Sequence, residues 1–179
     1  MDAKAAVAVI IANQPQPSIL LLRRRSLPGD PWSGHFAFPG GRHEQGDANL
    51  LSTCLRETRE ETGIVLPEDA LRLALPAAPV GQLIHMNMLV QPYLFQVAER
   101  PHVIVDPGEI ASAHWLEVTA FRDERRHRQQ EMFPGMNCPT FPLEDYYLWG
   151  FTYGILRRLF DDAILREYFV RILPAGHSP

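Results

Sequence analysis

Lysine is almost missing from this chain. Of its 17 basic residues only Lys4 is a lysine, and the rest are arginines. A surplus of positive charge is missing too: the formal net charge is -4 and the sequence pI is about 6.0. That excludes the basic footprint of a nucleic-acid binder and a polybasic membrane patch. There are two cysteines, Cys54 and Cys138, far apart and without a CxxC pair. This spacing excludes a disulfide framework or a zinc site and points to a reducing compartment. No apolar run approaches the roughly 20 residues that a membrane helix needs. The first such run, Ala5–Ala12, is short and β-branched, follows an acid and has no small-residue cleavage site, so it reads as a strand rather than a signal peptide. The expectation is a soluble, cytoplasmic protein that engages neither nucleic acid nor membrane.

What is present suits one globular domain. The 179 residues are 46% hydrophobic, with no internal repeat, low-complexity stretch or clear linker. Ala5–Ala12 and Ile19–Arg24 are expected to form a hairpin around the turn-rich NQPQPS. Ser26–Gly41, with two Pro-Gly pairs, reads as a structured loop holding a short strand at Phe36–Phe38. A helix follows to about Thr62, with Asp47 as its expected N-cap and Gly63 as its left-handed C-terminal stop. Further strands are expected at Leu71–Leu75, Ile84–Leu89, Val90–Val97 and Ala113–Val118, with Pro92 marking an edge or a bulge. Asp123–Glu131 reads as a solvated helical or loop segment and Phe133–Leu143 as loop. Tyr147–Phe160 reads as an amphipathic helix, within a C-terminal helical segment of about 146–174 that Ile164–Leu173 extends or follows. Strands mixed with a few helices imply an α+β fold or an α/β/α layered domain.

The chemistry concentrates between Gly40 and Ile64. A double glycine precedes a polar loop and a helix carrying Glu57, Glu60 and Glu61. At i, i+3 and i+4 the three carboxylates project from one side of the helix, next to the expected core stripe of Leu51, Cys54, Leu55, Thr58 and Thr62. Taken alone, such acids also fit a solvated helix face with Arg56–Glu60 as an ordinary ion pair. Beside a loop whose glycines let backbone approach closely, they suit a hard divalent cation that shares its shell with substrate phosphates.

The wider spacing favours the second reading. Gly41, Arg56-Glu57, Glu60-Glu61, Gly63 and Ile64 resemble the Nudix box, G-x5-E-x7-R-E-U-x-E-E-x-G-U with U aliphatic. Asp47 takes the place of the first glutamate, eight residues rather than seven separate it from Arg56, and Thr58 stands at the first aliphatic position. The added residue is similar to the box of one branch, the coenzyme A pyrophosphatases. Arg25-Ser26 followed by Gly34-His35-Phe36-Ala37-Phe38-Pro39-Gly40-Gly41 resembles the same branch, as does Trp149-Gly150-Phe151-Thr152. Where the branch has an arginine four residues after the serine, this chain has Asp30. Pro79 lies 15 residues past Ile64, where related ADP-ribose hydrolases often carry proline.

The resemblance implies a Nudix-type α/β/α sandwich with a mixed sheet between helices. Glu57, Glu60 and Glu61 would hold Mg2+ or Mn2+, joined by the Gly41 carbonyl. Arg56 would orient a box glutamate, and Glu109, in DPGEI, would add a metal ligand or general base. Arg25, Phe38, Gly40 and Gly41 would meet the substrate. Water would attack the diphosphate of a nucleoside diphosphate derivative, with coenzyme A or acyl-coenzyme A the most specific substrate and ADP-ribose or an oxidised nucleotide the alternative. A non-catalytic nucleotide sensor on the same fold is the competing class. Such modules commonly lose box glutamates, and all three stand here. A homodimer is compatible with the family, although no sequence feature demands one. Trp32, Phe36 and Trp149 are candidates to stack on a base, with Trp149 more simply a core residue. His35 and His85 read most simply as structural.

Overall fold

The computed structural model describes residues 2–29, 32–81 and 88–161. The Asp30-Pro31 pair, His85, most of the strand expected at Ile84–Leu89 and the helix expected at Ile164–Leu173 lie outside the described residues. The central strand is β1 (Ala5–Gln14), and it runs parallel to β7 (Met88–Glu99) along nearly its whole length. Because side chains alternate along a strand, β1 feeds two cores. Val9 and Ile11 face one, while Ala6, Ala8 and Ile10 face the other. The adjoining β2 (Ser18–Arg24) divides the same way, with Ile19 and Leu21 opposite Leu20 and Leu22.

Helix α1 (Leu50–Thr62) covers the alanine side through Cys54. The other side is covered by α3 (Gly150–Asp161) and by a second, three-stranded sheet of β9 (Arg128–Phe133), β10 (Met136–Leu143) and β11 (Tyr146–Trp149). This is the expected mixed sheet between helical layers, with the small sheet as an added part of one layer.

β1 and β2 pair only near their hairpin, at Ile11–Ile19 and Ala12–Ser18, and then part. The fork is filled by β3 (Phe36–Ala37), paired to β2, and β4 (Gly40–Arg42), paired to β1. The loop expected to approach a diphosphate is therefore built into the sheet. β8 (Ile110–Glu117) lies along the other edge of β2, and β5 (Leu71–Ala74) and β6 (Ala78–Val80) share the outer edge of β7. α2 (Val118–Arg122) is a short turn of helix after β8.

Several expectations need correction. Asn49, not Asp47, caps α1: its side chain accepts the Ser52 N–H while the Ser52 hydroxyl receives the Asn49 N–H. Pro92 does not mark an edge strand, because β7 is paired on both sides. It sits in the gap between β5, whose last residue Ala74 lies opposite Tyr93, and β6, whose first residue Ala78 lies opposite Val90. The segment read as a charged helix or loop is a 3-10 turn at Glu124–Arg126 and then β9.

Phe133–Leu143 is largely β10, a middle strand despite Pro139 and Pro142. β9 pairs with it from Met136 to Thr140 and β11 from Thr140 to Leu143, so each proline sits where one edge is unpaired. Tyr146–Trp149 is strand rather than helix, and α3 starts only at Gly150, whose φ of 64° makes the strand-to-helix turn.

Phe141 of β10 is fully buried against Phe121, at 5.3 Å between ring centroids. If the second sheet is part of the main core, Phe141→Ala should cost about 3–5 kcal/mol. The urea midpoint of the whole protein should then fall in one transition. A separate early transition would show that the small sheet folds alone.

Candidate functional site

The two glycines of β4 face two glutamates of α1. The Gly40 N–H donates to Glu61 Oε2 at 2.8 Å. A Cβ on Gly40 would lie 2.2 Å from the Ala6 carbonyl oxygen, and one on Gly41 would lie 2.4 Å from the Glu57 carboxyl carbon. At Gly40 the backbone of β1 leaves no room for a side chain, and at Gly41 the Glu57 carboxylate stands where one would begin. That closeness lets the loop backbone and the helix carboxylates line one site.

The three box glutamates do not share one environment. Glu61 is 6% exposed, although the sequence put it on a face beside the core. The Glu57 side chain is 17% exposed and that of Glu60 is 58% exposed. Burial, partly relieved by the Gly40 N–H, pushes the Glu61 carboxyl up to about 8, and the negative charges of Glu57 and Glu109 push in the same direction. Burial also raises Glu57; Arg56 opposes that shift, while Glu60 and Glu109 add to it. Glu109, exposed on the turn before β8, thus acts electrostatically on both glutamates.

Arg56 organises the entry to this site. Its Nε and Nη2 grip both oxygens of Asp47, at 2.9 and 3.0 Å. Its Nη1 donates to Glu57 and Glu60, both at 2.9 Å, and Nη2 also reaches the Arg42 carbonyl at 3.2 Å. Asp47 further accepts the Thr53 hydroxyl and the Glu44 N–H. The Arg56 guanidinium, ahead of the Glu44 N–H, holds the Asp47 carboxyl well below the usual carboxylate range. Freed from capping, Asp47 anchors the loop to the helix through Arg56. The box spacing was the signal for that role, since Asp47 stands at its first acid. Thr58, at an aliphatic box position, is buried because its hydroxyl donates to the Cys54 carbonyl at 2.7 Å.

Of the remaining candidates, Phe38 is 3% exposed and packs with Phe36 against β1 and β2 residues. Arg25 donates from Nη1 to the Pro107 carbonyl at 2.8 Å. Arg23 lies between the rings of Phe36 and Tyr146, at 4.8 and 4.6 Å. A register shift between Arg23 and Arg24 breaks the alternation there. His35 stacks on Tyr146 at 6.0 Å and meets Trp149 edge-on at 4.8 Å. Trp149 therefore joins the second sheet to the glycine-rich loop.

Among the described residues, no three His, Cys, Asp or Glu side chains converge on one point closely enough to hold a metal. The donor set nonetheless fits a hard divalent cation. It consists of carboxylate oxygens beside a glycine backbone, and the buried Glu61 is raised by like charges that such a cation would offset.

A NUDIX-domain family model matches residues 2–136. A Klebsiella pneumoniae (strain 342) protein described as an uncharacterized Nudix hydrolase, NudL, is 28% identical over 159 residues, which is 87% of this chain and 80% of that protein. The fold is similar to a MutT/nudix family protein from Enterococcus faecalis, with a TM-score of 0.64 at 18% identity; the alignment covers 92% of this chain and 63% of that one. It is also similar to RenU, a Nudix hydrolase from M. smegmatis, with a TM-score of 0.60 at 18% identity over 98% of this chain and 90% of that one. No helix among the described residues is long and apolar enough to cross a membrane. With the family model spanning well over half of the sequence, the chain belongs to the Nudix hydrolase family and is a pyrophosphohydrolase.

Proposed function

We propose that the protein hydrolyses the diphosphate bond of coenzyme A or an acyl-coenzyme A, releasing 3′,5′-ADP and a 4′-phosphopantetheine product. The observation that carries the hydrolytic reading is the pairing of Gly40 with Glu61 and of Gly41 with Glu57. It sets a loop suited to a diphosphate directly against two half-buried or buried carboxylates. The coenzyme A reading rests on the Arg25-Ser26 and Gly34–Gly41 spacing, the extra residue before Arg56 and Trp149–Thr152.

Glu57, Glu60 and Glu61 would hold Mg2+ or Mn2+ together with the Gly41 carbonyl. The bound cation supplies a polarised phosphoryl oxygen and a water of lowered pKa. Arg56 keeps Glu57 and Glu60 oriented, which preserves the ligand geometry. Glu109 accepts the proton of the attacking water at a carboxylate oxygen. The water oxygen bonds to phosphorus as the bridging P–O bond breaks, without a covalent enzyme intermediate. Two unpaired, buried thiols, Cys54 and Cys138, suit a reducing cytoplasm. The whole chain is read as one Nudix domain, and a homodimer remains the assembly to test by sedimentation.

The test is incubation with Mg2+ and a panel of coenzyme A, acetyl-coenzyme A, ADP-ribose and 8-oxo-dGTP, with both products resolved by chromatography. Release of 3′,5′-ADP from coenzyme A is expected. Inert coenzyme A alongside rapid ADP-ribose cleavage would overturn the substrate, and an inert panel would overturn the coenzyme A reading.

A further inference from the structure

The turn of residues 106–109 is tied down on two sides. On the α1 side, the Ile104 N–H donates to the Thr62 carbonyl at 2.9 Å and the Asp106 N–H to the Glu61 carbonyl at 3.0 Å. The last carbonyls of a helix have no partner within it, so the stretch leading into the turn takes two of them. It thereby registers itself on the helix that carries Glu57 and Glu61. Within the turn, Gly108 N–H donates to Asp106 Oδ1 at 2.8 Å and Ile110 N–H to the Asp106 carbonyl at 2.9 Å.

On the β2 side the ladder to β8 begins at Arg24–Ile110, and Arg25 carries it into the turn. Its backbone N–H donates to the Glu109 carbonyl at 2.8 Å, and its guanidinium Nη1 donates to the Pro107 carbonyl, also at 2.8 Å. Glu109 thus hangs between the end of α1 and the end of β2, with Arg25 closing the second attachment.

We propose that Arg25 is a positioning residue for Glu109 rather than a ligand for the substrate's phosphates. The inference deepens the proposed reading of Glu109 and rests on it. A guanidinium that binds phosphate does so best with two parallel N–H groups. Here one of the fork's nitrogens is committed to a neutral carbonyl. The bond it makes holds in place the turn that carries Glu109.

Kinetics of Arg25→Ala, Glu109→Gln and the double variant separate the two roles, using whichever panel substrate the wild type cleaves. Loss of a positioning contact should lower kcat about tenfold and leave KM within about twofold, because small misplacements of a reacting group are costly. In the Glu109→Gln background Arg25→Ala should add nothing, since it acts through a carboxylate already removed. A KM raised about tenfold or more with kcat kept, or a kcat loss that persists in full beside Glu109→Gln, would overturn the proposal. A second measurement needs no turnover. Amide hydrogen exchange at Gly108 and Ile110 should quicken in Arg25→Ala while Gly63 is unchanged, and unchanged exchange at the turn would also overturn the clamp. If the wild type cleaves nothing in the panel, the functional reading fails, while the exchange result still decides whether Arg25 holds the turn.

Discussion

Glu61→Gln should cut turnover by about a hundredfold or more, since losing even a group that only orients metal ligands costs about 10–100-fold, and yet raise the thermal midpoint of the metal-free protein at a pH near 8. Both effects arise from the same carboxyl. Glutamine keeps an oxygen for the Gly40 N–H but loses the negative charge that would hold a cation. In the native protein that charge is buried beside Glu57 and within the field of Glu109, so without metal it is an electrostatic cost. The folded carboxyl titrates at about 8, against an ordinary value of 4.5. Between those values the native state holds a proton that the unfolded chain has released. Stability of the metal-free protein therefore falls as pH rises through that window. The contribution is fully present below 4.5 and lost by the time pH passes about 8. Thermal melts in EDTA across that range should show the decline in the wild type and a shallower one in Glu61→Gln. Mg2+ should restore the wild type most at the alkaline end. A variant that melts lower than the wild type at every pH would sink this account of Glu61.

The second large effect is expected at Arg56. Arg56→Met should weaken Mn2+ binding about 10–100-fold, the usual penalty for losing a group that orients metal ligands, and should lower the rate at fixed metal by a similar factor. Methionine keeps much of the side-chain length but none of the donors. Five hydrogen bonds then go at once: to both oxygens of Asp47, to the carboxylates of Glu57 and Glu60, and to the Arg42 carbonyl. Arg56→Lys should fall between the two, because an ammonium group cannot reproduce the bidentate grip on Asp47. A paramagnetic resonance titration with Mn2+ reads the affinity directly. Unchanged affinity in Arg56→Met would mean that the box glutamates need no external support.

The two forms of reading, periodicity and local residue chemistry, failed in different places. Strands written as short continuous apolar runs, such as β1 and β2, were legible, and so was the C-terminal stop of α1 at Gly63. β10 was not, because Pro139 and Pro142 look like breaks unless one knows that its partners overlap only at Thr140. That is tertiary information. The start of α3 was blurred because an apolar pattern runs through Trp149 into the helix, while the deciding signal was the single Gly150. At the site, the identity of the acids could be read from spacing. Their inequality could not: the depth of Glu61 depends on β4 lying in the fork of β1 and β2. Asp47 shows the opposite case. Its chemistry suits a cap, but its place in the box suits a partner for Arg56, and the second consideration prevailed.

The alanines of β1 that lie under α1 also have a consequence for distance. Ala6 and Ala8 are fully buried on the side that faces Cys54, so two methyl groups act as spacers between helix and sheet. Gly40 and Gly41 pair with β1 at Val7 and Ala6, which makes this strand the common ruler for loop and helix alike. A larger residue at position 6 or 8 would lift α1 from the ruler while leaving the glycines on it. The gap between carboxylate and backbone is therefore calibrated by side chains that never touch the reacting groups, and the rate should register a thickened spacer before the melting temperature does.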